Sequence, residues 1–386
     1  MIEPLETVSG HVAPGFEPVA TAFRQNFAAE REAPDLGAAF VLLRDGKAVV
    51  DLVGGYRDPA RQDPWTRDTL VNVYSTTKAV TALAIAALVE RGHIAYGTAV
   101  ADFWPAFAAA GKDSVTVGQL LSHQAGLAGF REPVSLDALY DSEARAAQLA
   151  AQTPWHPPGA DTCYHPMTFG FLADGLVRAA TGRDLRSWVS ELFHRSGEAD
   201  CYLGCPRTEA GRVATLVPPP AADFSALAQA PADAVAALTN PVVTAEAAAT
   251  QAWREASLPA ANGHASAAGL ARLLGIVASG GRLDGEPLLG EETLAGLCRV
   301  RSERPDRLLQ LPLAWCAGLL RNTAGLYGPR PEVYGHSGWG GSFACADPGA
   351  GIAFAYVCNR MGSDLVGDQR SSSLCRAVYE CTGLDL

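Results

Sequence analysis

The feature that most constrains the fold is an apolar run over residues 79–89, in which only Thr81 is polar. A helix that is apolar on every side has to be surrounded by protein. Gly92 follows the run, at a place where a helix that has just ended favours a left-handed residue. The run therefore predicts a central buried helix, around which the rest of a chain of 386 residues has to pack.

A serine and a lysine lie at the start of this helix. Ser75 and Lys78 are three residues apart, and side chains at that spacing share a helix face. A serine hydroxyl needs a neighbouring base to become a strong nucleophile, and a buried lysine can be that base because desolvation lowers the pKa of its amine. The free N–H groups at a helix N-terminus suit an oxyanion. Serine is also a common N-cap residue, so this pair alone does not establish catalysis.

Charge and composition exclude several classes of function. The net charge of −11 argues against nucleic acid or an anionic membrane surface as a partner, because both attract basic patches. The content of 48% hydrophobic and 18% charged residues is typical of a compact soluble protein. The apolar run is too short to span a bilayer, and residues 1–6 lack the apolar core of a secretory signal. The sequence therefore predicts a cytoplasmic protein.

The nine cysteines are scattered along the chain. Cys201 and Cys205 form the only close pair, and no second pair or histidine partner stands at zinc-finger spacing. Without an export signal the thiols are expected to be reduced, with Cys345 and Cys358 as small core residues in apolar strands. The sequence predicts neither a metal site nor a cofactor.

Strand patterns occur at both ends of the chain and helical patterns between them. At the ends, the sequence predicts strands over 38–43 and 48–53 joined by a turn at Asp45-Gly46, strands over 341–346 and 351–358 around a turn at 347–350, and a final helix over 372–379. In the middle, it predicts helices over 117–123, over 136–152, over 168–180 ending at Gly182, and over 185–193 capped by Asp184.

This order of patterns predicts a sheet built from both termini and a helical insertion. One lobe would comprise residues 1–95 and 271–386, the mostly helical lobe residues 96–270, and a site would lie at the seam. The segment 206–259 is rich in proline and alanine and is predicted to be irregular, with no more than one helix. This segment and the loop 127–134 are expected to shape the pocket.

Tyr164 is a candidate for moving protons to and from the serine. It lies in a loop before the helix at Thr168, where a tyrosine close to a cation could exist as a phenolate. A half-buried tyrosine that bonds to the backbone is the alternative. His156 and His165 are nearby, but no acidic partner is evident for either, so loop or surface roles are predicted for both.

A glycine-rich stretch, 335–341, heads one of the C-terminal strands and contains His336, Ser337, Gly338 and Trp339. Glycines at this density let a ligand approach the backbone, and free N–H groups of an edge strand could donate to a carbonyl oxygen. A bulged turn without a functional role is the alternative. The chain contains no Gly-x-Ser-x-Gly and no P-loop motif, which excludes the nucleophile elbow of the α/β-hydrolases and a phosphate-binding loop.

The order of Ser-x-x-Lys at 75–78, Tyr164 and His336-Ser337-Gly338 resembles the serine β-lactamase and penicillin-binding-protein-like hydrolases. Within them the chain is most similar to the class C β-lactamase-related carboxylesterases known as family VIII. Residues 46–47, 120–127 and 347–348 extend the resemblance over nearly the whole chain. The resemblance implies an α/β (α+β) fold, in which an antiparallel sheet flanked by helices is joined to a mostly helical lobe.

The resemblance also implies roles for individual residues. Ser75 would be the acylated nucleophile, Lys78 its base, and Tyr164 a partner in general acid/base work. His336-Ser337-Gly338 occupies the place of Lys-Thr-Gly at the substrate, and the backbone N–H groups of Ser75 and Trp339 would form the oxyanion hole. Removing one donor from such a hole typically costs about 10²–10³ in rate.

Two departures from the family pattern bear on the substrate. Pro166 stands in place of the asparagine of Tyr-x-Asn, and His336 in place of the lysine of Lys-Thr-Gly, so a fixed positive charge for a substrate carboxylate is weakened. The sequence therefore predicts hydrolysis of short-chain, small-molecule carboxylic esters through an acyl-enzyme on Ser75. The alternatives are an amide-directed relative (a D-aminopeptidase, an amide hydrolase or a weak β-lactamase) and a non-catalytic scaffold of the same fold.

Overall fold

The computed structural model describes residues 8–31, 33–194, 200–219 and 229–383. The expectation about residues 1–6 and the part of the irregular segment at 220–228 lie outside the described residues. The helices are α1 Glu17–Gln25, α2 Thr77–Glu90, α3 Val100–Phe103, α4 Val117–Leu121, α5 Ser142–Ala151, α6 Thr168–Thr181, α7 Leu185–Phe193, α8 Ala232–Thr239, α9 Gln251–Glu255, α10 Ala267–Ala278, α11 Glu291–Cys298 and α12 Gln369–Thr382.

The strands are β1 Ser9–Val12, β2 Gly37–Arg44, β3 Lys47–Gly55, β4 Val71–Asn72, β5 Cys201–Leu203, β6 Gly263–Ala265, β7 Arg282–Leu283, β8 Glu286–Pro287, β9 Ser302–Pro305, β10 Pro312–Trp315, β11 Leu320–Arg321, β12 Tyr334–Ser337, β13 Phe343–Asp347 and β14 Ile352–Cys358. Short 3₁₀ helices cover Pro105–Gly111, Asp137–Tyr140, Arg207–Arg212 and Ala245–Ala249.

The main sheet is built from both ends of the chain, as predicted. Its nine strands lie in the order β1-β3-β2-β14-β13-β12-β11-β10-β9, and every neighbouring pair is antiparallel. Two-residue hairpin turns of type I′ require positive φ at both central residues, and Asp45 and Gly46 between β2 and β3 have φ of 49° and 74°. The predicted hairpin and the predicted pair β13–β14 are therefore confirmed.

Helices cover both faces of this sheet, because its central strands are apolar on both sides. Alternate residues of β2 point to opposite faces: Phe40 and Leu42 pack with α1 and α12, whereas Ala39 and Val41 belong to the core on the other face. There α10 packs against β2, β13 and β14. The antiparallel sheet flanked by helices that the resemblance implied is confirmed.

The central helix is α2, and it is buried on all sides. Every residue from 77 to 88 is buried, and the helix packs against α6, α7, α10 and α11. Gly92 follows it with φ of 74°. The buried helix predicted from the apolar run is confirmed, and α6 and α7 also begin and end close to their predicted bounds, with Gly182 left-handed and the Asp184 carboxylate accepting from the N–H of Ser187.

Two predictions about the middle of the chain are wrong. The helix expected over 136–152 is broken at Asp141, whose carboxylate accepts from the Ala144 N–H at 3.0 Å and caps α5, because an aspartate bonds the backbone better at a helix start than inside one. The segment expected to be irregular over 206–259 contains α8, α9 and two 3₁₀ helices in its described part. Alanine-rich stretches form helices in spite of the prolines between them.

The cysteines are free thiols, and Cys345 and Cys358 are buried as predicted. Within the ranges that the structure describes, no helix combines the length and the apolar character needed to cross a membrane. The division into one lobe of residues 1–95 and 271–386 and another of residues 96–270 stays a prediction.

Candidate active site

Ser75 lies just before α2 in a strained and buried segment. The residues from 71 to 88 are all buried except Ser75, which is partly exposed. The preceding residue, Tyr74, has a positive φ of 42°, a costly conformation for a residue other than glycine that persists only where the surroundings impose it. The Tyr74 ring packs against Trp339, with centroids 5.1 Å apart. This turn presents the hydroxyl of Ser75 to the surface while its neighbours are held in the core.

Lys78 is the second residue of α2, and its surroundings favour the uncharged amine over the ammonium form. Its Nζ is 3.1 Å from Ser75 Oγ and donates to the carbonyl oxygens of Pro166 at 2.8 Å and Ala260 at 3.0 Å. The side chain is fully buried, and burial holds its pKa well below the usual range of a lysine. A neutral amine has two N–H donors and one lone pair, so two carbonyls occupy the donors and the lone pair is left for the serine hydroxyl.

Tyr164 completes a cluster of three groups around Ser75 Oγ. Its phenol lines the same pocket as Ser75, and its ring centroid is 4.9 Å from the Lys78 Nζ. Burial raises the pKa of Tyr164 above that of an ordinary tyrosine; Ser75 acts to lower it, and the Asp306 carboxylate acts to raise it further. The interpretation of Tyr164 as a phenolate is therefore wrong, and the residue is a buried phenol that can donate a proton.

Ser75 and Trp339, whose backbone N–H groups are the predicted oxyanion donors, line the same cavity. In the part of the chain described here, no backbone acceptor is paired with the N–H of Ser75 or of Trp339. The turn that carries Trp339 is fixed to the segment before α2, because Ser342 Oγ donates to Val73 O at 3.0 Å and lies 3.1 Å from Thr76 Oγ1. Gly338 passes so close that a Cβ there would be 2.2 Å from Val73 O, which admits only glycine. The oxyanion role of these two N–H groups stays a prediction.

His336 and Ser337 lie behind the pocket rather than on its surface. They are 1% and 4% exposed, and His336 Nδ1 donates to the Ser337 carbonyl at 2.7 Å. Burial lowers the pKa of His336 to about 3, so the ring is neutral at pH 7. The replacement of lysine was expected to weaken the positive charge at this position, and because the ring is neutral, that charge is absent at pH 7. A direct role of His336-Ser337-Gly338 in substrate binding stays a prediction.

His156 and His165 both lie in loop segments, as predicted, but His165 is not at the surface. His165 is fully buried; its Nδ1 donates to the Cys163 carbonyl at 2.6 Å, and burial lowers its pKa to about 3. His156 has an acidic partner after all, since its Nε2 lies 3.9 Å from the Asp233 carboxylate. That partner is 77 positions away along the chain, which is why the sequence pattern did not show it.

The cluster opens into a small apolar pocket of about 110 Å³. No charged side chain is found among its lining residues in the described structure, which are Tyr74, Ser75, Tyr164, Pro166, Met167, Ala237, Leu238, Pro241, Val242, Val243, Ala261, Trp339 and Leu365. The segment 206–259 therefore contributes one wall, as predicted. The loop 127–134 contributes no lining residue, against expectation, and instead braces the end of α8, where Asn240 Nδ2 donates to Phe130 O at 2.9 Å.

Several residues of the site gave no usable signal in the sequence. Lys78 is held by the backbone carbonyls of Pro166 and Ala260. Because every residue has a backbone carbonyl, the sequence does not indicate which two the fold brings to Lys78. Trp315, whose indole stacks on the Tyr164 ring at 5.5 Å, is an ordinary strand residue by pattern. Across the described ranges, no group of histidine, cysteine and carboxylate side chains is arranged to hold a metal ion.

The charge states give the site a characteristic pH dependence. The active form has Lys78 deprotonated and Tyr164 protonated, and burial moves the two pKa values apart, the first well below and the second above its ordinary value. As the pH falls, activity is lost only when Lys78 gains a proton. We expect kcat/KM for methyl butyrate, followed by pH-stat titration, to reach its plateau well below the pH at which an ordinary lysine loses its proton. A rate that keeps rising towards about pH 10, the pKa of an ordinary lysine, would contradict this arrangement.

The chain is similar to several known proteins over most of its length. A family described as Beta-lactamase matches residues 24–372. The Esterase/beta-lactamase LipL of Mycobacterium tuberculosis (strain ATCC 25618 / H37Rv) is 38% identical over 370 residues, which cover 93% of this chain and 84% of LipL. A solved family VIII carboxylesterase is 40% identical with a TM-score of 0.91, covering 97% of this chain and 100% of that one. A solved penicillin-binding protein homologue from Caulobacter crescentus is 42% identical with a TM-score of 0.90 over the same shares.

Proposed function

The chain belongs to the beta-lactamase family and is an esterase/β-lactamase-like hydrolase, and on that basis we propose that it is a serine carboxylesterase that cleaves short-chain carboxylic esters through an acyl-enzyme on Ser75. One observation carries the proposal. A buried lysine amine lies 3.1 Å from a partly exposed serine hydroxyl, at an apolar pocket whose described lining has no charged side chain.

Acylation starts when Ser75 Oγ attacks the ester carbonyl. The neutral amine of Lys78 accepts the hydroxyl proton, and the N–H groups of Ser75 and Trp339 stabilise the tetrahedral oxyanion. As the intermediate collapses, the phenol of Tyr164 gives its proton to the departing alkoxide, and Lys78 returns a proton to the phenolate. Both side chains are then uncharged again, and the acyl group is bonded to Ser75 Oγ.

Deacylation uses the same groups with water as the nucleophile. Lys78 accepts a proton from the attacking water, either directly or through the phenol of Tyr164. The second tetrahedral intermediate releases the carboxylic acid, and the proton held by Lys78 returns to Ser75 Oγ. No group outside this chain is needed for the proton balance.

The pocket supports an uncharged substrate. A β-lactam or a peptide C-terminus carries a carboxylate, and placing it in an apolar cavity without a cation leaves a charge unpaired. The lining residues offer no such cation, and His336 is neutral and buried. The small volume favours short acyl chains. β-Lactam hydrolysis is the second candidate because LipL is named as both an esterase and a β-lactamase, and we expect it to be the slower reaction.

The proposal is tested by comparing kcat/KM for p-nitrophenyl butyrate with kcat/KM for a cephalosporin. A variant that places a cation at the pocket provides the control. Val242 lines the pocket and is 53% exposed, whereas Leu311 is 38% exposed and lies outside it. A charge-assisted hydrogen bond is worth about 1.5–3 kcal/mol, so Val242→Lys should raise the ratio of cephalosporin to ester kcat/KM by roughly 10–100-fold, and Leu311→Lys should leave it unchanged.

The measured kcat/KM values of the unmodified protein decide between the two candidates. Ester cleavage well above cephalosporin cleavage supports the carboxylesterase. Cephalosporin cleavage faster than ester cleavage in the unmodified protein would move the chain to the β-lactamase side, and absence of turnover with either would favour the non-catalytic scaffold.

A further inference from the structure

We propose that Asp306, together with Trp315, is a positioning residue that holds Tyr164 in place for proton transfer to the leaving group. The inference rests on the function proposed above, because it concerns the residue that acts there as the general acid. Asp306 and Trp315 lie 142 and 151 positions beyond Tyr164 in the chain, and neither lines the pocket.

The Asp306 carboxylate fixes the backbone of Tyr164. It follows β9 directly, is fully buried, and its Oδ1 accepts from the N–H of Tyr164 at 3.1 Å. The same oxygen accepts from the N–H groups of Leu308 and Leu309 at 2.9 and 3.0 Å. Burial raises the pKa of Asp306, and these three N–H groups, with the Trp315 side chain, act in the opposite direction. One carboxylate oxygen therefore joins its own turn to the loop of the candidate acid.

Trp315 fixes the ring of the same tyrosine. The indole lies parallel to the Tyr164 phenol, with an interplanar angle of 8° and centroids 5.5 Å apart. Its Nε1 and Asp306 Oδ2 are both buried, and neither has a hydrogen-bond partner in the described part of the chain. The indole acts to lower the pKa of the Asp306 carboxyl. The stacked indole therefore fixes the plane of the Tyr164 ring, and the Asp306 carboxylate fixes its backbone.

A third contact extends this arrangement along the loop. The backbone N–H of Arg307 donates to Thr162 O at 2.9 Å, and its guanidinium donates to the Asp161 carboxylate at 3.2 Å. The turn that begins at Asp306 therefore binds the loop at 161, 162 and 164. If the Asp306 carboxylate only capped its own turn, it would not also accept from the N–H of Tyr164.

Loss of this support should have a signature that general destabilisation lacks. A misplacement of about 1 Å can cost about 10²-fold in rate, but a general acid matters only when the leaving group needs a proton. An ethoxide has to be protonated as it leaves, whereas p-nitrophenolate departs as a stable anion. A displaced Tyr164 therefore slows the cleavage of an ethyl ester far more than that of a p-nitrophenyl ester with the same acyl group.

The experiment compares kcat/KM for ethyl butyrate and p-nitrophenyl butyrate in the full-length protein and its variants. We expect Asp306→Ala to lower the ethyl-to-aryl ratio by about 10–100-fold, within the range of general acid catalysis. Asp306→Asn keeps an oxygen for the three N–H groups and should restore most of the ratio. Gln310→Ala is the matched control, because within the described ranges its side chain bonds only the Arg307 carbonyl in the same turn, and it should leave the ratio unchanged.

The possible outcomes separate the positioning role of Asp306 from the proposed esterase function. Equal losses on both esters in Asp306→Ala would overturn the positioning role while the proposed esterase function stands, since the unmodified protein would still turn over both. An unmodified protein that cleaves neither ester would overturn the function and this inference together. If Asp306→Ala does not fold, Trp315→Phe replaces it, which keeps an aromatic ring but removes the indole N–H. A smaller loss confined to the ethyl ester is expected there, and an equal loss on both esters overturns the proposal.

Discussion

Ester hydrolysis is expected to fall by about 10⁵–10⁶-fold when Ser75 is replaced by alanine, the size of loss seen when the nucleophile of a serine hydrolase is removed. The other hydroxyls that line the described pocket belong to Tyr74 and Tyr164, and burial raises the pKa of both phenols. Neither can replace the serine as a nucleophile. Steady-state rates with p-nitrophenyl butyrate measure the loss.

The Ser75→Ala variant should fold as well as the parent. Ser75 is partly exposed and precedes α2 without capping it, so the free energy of unfolding should change by no more than about 0.5 kcal/mol. Ser190→Ala, which removes an exposed hydroxyl from α7, is the matched control and should keep full activity. Substantial turnover by a folded Ser75→Ala variant would contradict the nucleophile assignment.

Replacing Lys78 with arginine is expected to lower kcat/KM by about 10²–10⁴-fold, the usual contribution of a general base. A guanidinium stays protonated in proteins and has no lone pair for the Ser75 proton. Lys78→Met keeps a similar side-chain volume but removes the base, so it should lose a comparable amount of activity. Single-turnover rates of acylation measure the effect without interference from product release.

This pair of variants separates two roles for Lys78. If the side chain acted as a fixed positive charge, arginine would preserve the charge and much of the rate, and methionine would not. Activity of Lys78→Arg within about tenfold of the parent would therefore contradict the uncharged amine. Unfolding has to be measured alongside, because both variants disturb the bonds to the Pro166 and Ala260 carbonyls, and each unsatisfied buried group costs about 1–3 kcal/mol.

The parts of the fold that the sequence predicted correctly are those with a local cause. Asp45-Gly46 supports the only kind of turn that closes so tight a hairpin, and an apolar run without a polar face can only be buried. The broken helix at Asp141 was missed because a single cap changes the outcome without altering the apolar pattern. The helices α8 and α9 were missed because the prolines around them outweighed the alanine content.

The candidate site was predictable in its motif residues and not in the contacts that set their chemistry. Ser75, Tyr164 and Trp339 line one pocket, and the Lys78 amine lies 3.1 Å from Ser75 Oγ. The prediction of the Tyr164 charge state was wrong because that state depends on burial, which the sequence does not show directly. The support from Asp306 was missed because no short spacing connects residues 142 positions apart.

The acyl-enzyme on Ser75 is best tested by the intact-protein mass after rapid acid quenching with p-nitrophenyl butyrate, followed by peptide mapping. We expect a butyryl adduct that forms in the first turnover, lies on the peptide containing Ser75, and is absent from Ser75→Ala. An adduct on another residue, or one that persists in Ser75→Ala, would contradict the acyl-enzyme mechanism.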